Sequence, residues 1–152
     1  MNIYYSLIFM FIGSFIIGIY FNGMNFLANQ YKDIYFYSNT LIYSALLMAS
    51  NMCILEIFMY YGYHFELHYK LLIFFIILSL ILIFFLRFQI GVNDNNWLKR
   101  MISHHSTALT TSKKIVNRTK NKKVEKLAKS IIRTQKDEIR LMKEILNKSS
   151  QN

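Results

Sequence analysis

Residues 3–21 read IYYSLIFMFIGSFIIGIYF, a run with no charged side chain. A helix needs about 20 predominantly apolar residues to cross the hydrocarbon core of a bilayer, and this run is long enough. A cleaved signal peptide would carry a basic n-region, a shorter apolar core and a small-residue cleavage site. This run has no Lys or Arg before it and ends in Tyr20 and Phe21, so it is read as a retained anchor. Two more apolar runs follow, about Thr40 to Tyr61 and about Leu71 to Phe88. The second is interrupted by Asn51 and Glu56; the third is almost purely Leu, Ile and Phe. An open backbone cannot be satisfied in lipid, so all three runs are expected to be helices. Tyr residues gather near the ends of the runs, as an interfacial aromatic belt would place them.

Charge divides the chain again. Before Arg87 the charged residues are Lys32, Asp33, Glu56, Glu66 and Lys70, a net charge of −1. From Arg87 onward sixteen Lys and Arg stand against five Asp and Glu, a net charge of +11. The expected organisation is an all-α chain, with a membrane domain over 1–90 and a basic helical hairpin over 91–152. There is no Pro to stop a helix, and the single cysteine, Cys53, excludes an intramolecular disulfide. The richness in Asn, Lys, Ile and Tyr resembles the product of an AT-biased genome.

Glu56 is the only carboxylate inside a predicted span, where a charge costs several kcal/mol (about 3 at the helix centre). It reads either as a proton or metal ligand or as a residue reaching the interface from the helix end. Met48, Met52 and Met59 recur near one helical face, as a soft-metal ladder for Cu(I) would. Adaptable packing is the commoner use of such a stripe.

After Gly91 and the polar stretch Asn93–Asn96, a helix is expected from Trp97 to about Asn117. A turn over 118–123 and a second helix from about Val124 to Leu146 follow. The second helix carries a stripe of Val124, Leu127, Ala128, Ile131, Ile132, Ile139, Met142, Ile145 and Leu146. A weaker one on the first helix is Met101, Ile102, Ala108, Leu109 and Ile115. A short connection favours an antiparallel hairpin, and its thin seam calls for self-association, most simply into a four-helix bundle. Homo-oligomerisation is therefore expected.

The distinctive chemistry is Met101-Ile102-Ser103-His104-His105-Ser106, with Gln135, Glu138 and Met142 on the facing helix. Met101 precedes His104 and His105 by three and four residues, so either imidazole can share its face. Imidazole suits copper, zinc or iron, and thioether favours Cu(I). Adjacent histidines point about 100° apart on a helix, so one regular helix does not present both to one ion.

The blocks WLKRMISHHSTALTTSKKI and VEKLAKSIIRTQKDEIRLMKEIL resemble the domain of unknown function 305 (DUF305) family. Its pattern is M-I-x-H-H-x-x-A, then L-A-x-x-I-x-x-x-Q-x-x-E-I-x-x-M. Met101, Ile102, His104, His105, Ala108, Leu127, Ala128, Ile131, Gln135, Glu138, Ile139 and Met142 fall on it in order. The preceding part is similar to a membrane-anchored subgroup with an A-L-L-M-x-x-x-M element, here Ala45 to Met48 and Met52. The resemblance implies a ferritin-like helical domain. For some secreted members it also implies copper binding and copper tolerance through His and Met. This chain departs from the family where many members have a Met six residues after the second His; here that residue is Thr111.

Two functions are expected to compete. One is a membrane-anchored metal-binding protein using His104, His105, Met101, Glu138 and Met142, with copper ranked before zinc. The other is a non-catalytic assembly or scaffold protein that binds a protein partner or anionic lipid through Lys113, Lys114, Lys120, Lys122, Lys123, Lys126 and Lys129. An enzyme is not expected, for lack of a nucleophile–base pairing, a phosphate-cradling Gly loop or a dense carboxylate cluster. No motif supports nucleic-acid binding. Orientation stays open: the basic tail beside the third span argues for the cytoplasm, and the family resemblance for the outside.

Overall fold

The computed structural model describes residues 2–149 and is helical throughout, with no strand among the described residues. Six α-helices follow in order: α1 (Ile3–Tyr20), α2 (Gly23–Leu27), α3 (Asn39–His64), α4 (Tyr69–Phe88), α5 (Asp94–Val116) and α6 (Lys122–Ser149). A 3₁₀ turn at Tyr31–Asp33 lies between α2 and α3. By contact the chain forms two compact units. The first is Met1–Phe21 with Asn39–Gly91; the second is Asn22–Ser38 with Val92–Asn152. Residues 22–39, between the first two apolar runs, read from the sequence only as a loop. Instead the segment 22–38 carries α2 and the 3₁₀ turn and folds with the hairpin.

Three stretches of the described residues are long and apolar enough to cross a membrane: Ile3–Leu27, Asn39–His64 and Tyr69–Phe88. The second extends three residues beyond the run expected to end at Tyr61. Helix α3 is the middle helix, packed on α1 along one side and α4 along another. Its seam toward the core recurs every fourth residue as Leu41, Ala45, Ala49, Cys53 and Ile57. Small side chains on this seam let backbones approach closely, which is how helices associate where lipid removes the hydrophobic drive. At Gly18 of α1 the two helices approach closely, and a Cβ there would stand 2.9 Å from the Ala45 Cβ.

Hydrogen bonds finish the packing. The Ser50 hydroxyl donates to the Phe75 carbonyl at 2.9 Å, and Ser79 Oγ lies 2.9 Å from Ser50 Oγ and 3.0 Å from Asn51 Oδ1. Asn51, an interruption in the apolar run, is therefore a polar contact between α3 and α4. Helix α4 ends in left-handed geometry at Gln89, and Gly91 sits at φ +68. A side chain is strained there, which explains the glycine.

Gly18→Leu is expected to lower the melting temperature of the detergent-solubilised protein, because the added side chain meets α3 and overpacking costs about 1–3 kcal/mol. Gly13→Leu is the control, since a Cβ at Gly13 meets nothing within 4 Å. Equal melting curves for both variants would refute the close-packed seam.

Candidate functional site

The second unit is built on two long helices that start with clean caps. The Asn93 side chain accepts from the Asn96 amide at 2.9 Å, and the Asn121 side chain accepts from the Lys123 amide at 2.9 Å. Five residues connect the helices, and Ser149 Oγ lies 2.9 Å from Asn95 Oδ1, so α5 and α6 run antiparallel. The core between them is Leu98, Ile102 and Leu109 against Ile139, Met142 and Leu146, with Tyr35, Met101 and Ile132 packed around it. Leu98 was not in the expected stripe. Val124, Leu127, Ile145 and Ile115 were, and all four are exposed. The stripe read from the sequence was wider than the buried seam.

A second face of α5 holds the segment 22–38. Ser103 Oγ donates to the Asp33 carbonyl at 2.8 Å, Ser106 Oγ donates to the Asp33 carboxylate at 2.7 Å, and the Asn29 amide donates to Ser106 Oγ at 2.8 Å. Lys143 of α6 forms an ion pair with the same carboxylate. Asp33 is 2% exposed, so this charge is tolerated only because it is fully partnered. Sequence reading assigned none of these five residues a part in such a join.

The predicted site residues are brought together in part. His105 Nε2 lies 3.0 Å from Glu138 Oε2 across the helix pair, and its Nδ1 lies 2.8 Å from the Met101 carbonyl. Each ring nitrogen of His105 therefore faces an oxygen. His104 is exposed, and its ring centroid lies 6.0 Å from that of His105. Met142 is buried in the hairpin core, and Met101 packs against that core. The Gln135 Oε1 is buried with no hydrogen-bond partner among the described residues. Among those residues, no group of three or more His, Cys, Asp or Glu is arranged to hold a metal ion. The signal that separates the two histidines is the heptad 98, 102, 105, 109, which puts position 105 on the core seam and turns 104 away.

The intramembrane candidates lie in the first unit. Glu56 is half-buried and accepts a hydrogen bond from Ser6 of α1. Met48 is 38% exposed, Met59 is exposed and Met52 is half-buried, so the methionines do not form a shared buried cluster. Of the basic residues, Lys122 and Lys129 are held by Glu125 at 3.1 and 2.7 Å. These two cations hold the Glu125 carboxyl below the usual carboxylate range, chiefly through the Lys129 hydrogen bond.

A set of three membrane-length helices with a basic antiparallel hairpin defines the class, a small helical protein with a distinct hairpin unit. The chain belongs to the family described as Domain of unknown function (DUF305), whose model matches residues 87–151. It is similar to Uncharacterized protein L153 of Acanthamoeba polyphaga mimivirus, 38% identical over 138 residues, or 91% of this chain and 89% of that protein. No solved structure matches.

Asp33→Ala is expected to destabilise the second unit by about 2–3 kcal/mol. That is less than the roughly 3–5 kcal/mol of a fully buried pair, since Lys143 is partly exposed and can regain water. Hydrogen exchange should quicken first at the Asn29 and Tyr35 amides, which lean on Ser106 and Ser103. Unchanged exchange there would mean the segment is held by other contacts.

Proposed function

We propose that the chain is a membrane-anchored, non-catalytic binding protein whose hairpin carries a metal-ion site centred on His105 and Glu138. The observation carrying this reading is that the two blocks of the family signature meet at that pair, 3.0 Å apart. The buried, unpartnered Gln135 Oε1 is one turn from Glu138 on the same helix. The fit to an ion is partial. One imidazole and one carboxylate are fewer donors than the four of a closed zinc site, and the imidazole would bind through an unprotonated nitrogen. With the methionines committed to the core, the donor chemistry suits Zn(II) or Cu(II) better than Cu(I). A second copy of the hairpin, forming a ferritin-like four-helix arrangement, would supply the remaining donors.

Metal content and titration with Cu(I), Cu(II) and Zn(II) of the detergent-purified protein test this. Stoichiometric binding of a divalent ion is expected, lost in His105→Ala and in Glu138→Ala and retained in His104→Ala. Absence of bound metal in wild type would refute the site, and selective Cu(I) binding lost in Met142→Ala would refute the donor assignment.

A second reading, favoured by a cluster of cations in one cleft of the hairpin unit, is a module that binds anionic groups. It places the work away from the solvated lysines that Glu125 already engages.

A further inference from the structure

The second unit contains an open cleft of about 530 Å³ between the segment 22–38, α5 and α6. Five cationic side chains line it: Lys32 from the 3₁₀ turn, Lys113 from α5, and Lys136, Arg140 and Lys143 from α6. The three on α6 are spaced four and three residues apart, so they share a face. Only two carboxylates, Asp33 and Glu144, join them. The Asp33 charge is committed to Lys143, and Arg140 lies 3.8 Å from Asp137. The Lys113 ammonium donates to a neutral acceptor, the Asn29 amide oxygen. Among the described residues, Lys32, Lys113 and Lys136 have no carboxylate partner.

Like charges gathered from three separate elements repel one another, and folding brings them together without enough counter-charge. Such an arrangement is stable in company with an anion. We propose that this cleft binds a phosphate group, held by Lys32, Lys113 and Lys136. Side-chain amides of Asn29, Gln30 and Asn147 also line the cleft and can donate to phosphate oxygens. No aromatic side chain lines it, so a nucleobase has no stacking platform there. The segment that supplies Lys32 lies between two membrane-length stretches, so a phospholipid headgroup and a free phosphate are both sources of the group. This inference rests on the anion-binding reading of the unit and is independent of the metal site.

The test uses the full chain in nanodiscs, as wild type, as Lys32→Gln with Lys136→Gln, and as Lys122→Gln with Lys123→Gln on the solvated face. Inorganic pyrophosphate is titrated in phosphatidylcholine discs, and retention of phosphatidic acid is measured in mixed discs. Saturable binding is expected in wild type, weakened at least about tenfold in the cleft variant and unchanged in the face variant, as near-surface lysines contribute roughly 1 kcal/mol each. Pyrophosphate binding identifies a free phosphate as ligand, whereas phosphatidic acid retention alone identifies a headgroup; either supports the cleft. Equal weakening in both variants overturns the cleft but leaves a diffuse anion-binding surface. No binding in any form overturns both.

Discussion

The second unit depends on one buried carboxylate. Asp33 receives Ser106 and Lys143 at its oxygens, and its carbonyl receives Ser103, so a residue between two apolar helices becomes the point where three elements join. An isolated two-helix hairpin of this length has a thin core, six buried side chains in one cluster. Polar fastening of 22–38 across the hairpin adds what the core lacks. A buried charge is costly unless its partners are in place, so losing any one of them loosens the join. The cleft follows from it, because the same segment that delivers Asp33 delivers Lys32.

How far the sequence could be read follows from how local each signal is. Spans announce themselves through uncharged apolar runs, and three of the described stretches have that length. The hairpin was legible through its 3.6-residue periodicity and the polar stops around it. His105 facing Glu138 was legible in outline, since each block places its polar residue beside an apolar seam. By contrast, Asp33 meets Ser103, Ser106 and Lys143 from 70, 73 and 110 positions away, and no spacing rule covers such distances. A lone Asp in a short polar segment looks like solvated loop. Exposure of Leu127 and Ile145 was equally hidden, because helical periodicity gives a stripe but not how wide a partner covers it.

The two proposed sites draw on different residues of α6. Positions two apart on an α-helix are about 200° apart. Glu138 is two residues from Lys136, so the two project to nearly opposite faces, and Glu138 does not line the cationic cleft. The Glu138 carboxylate is therefore kept out of the cationic cleft and left to His105. A substitution on one face leaves the donors of the other in place, and the two readings can be separated by mutation.

Segment 22–38 and the hairpin also constrain the path of the chain. They pack into one unit, so they must share one side of any membrane the chain crosses. Between Ser38 and Val92 the chain must then cross an even number of times. Helices α3 and α4 are the two membrane-length helices in that interval, and by length and composition they can supply two crossings. If one of them crossed and the other did not, Asp33 and Lys143 would face each other across a bilayer rather than through a direct ion pair. Glu56 and Asn51, the polar residues that weaken the apolar run of α3, do not undo this, because each has a hydrogen-bond partner on a neighbouring helix. The contact of Asp33 with Lys143 thus couples the two helices: if α4, the more apolar of them, crosses a bilayer, α3 must cross it too.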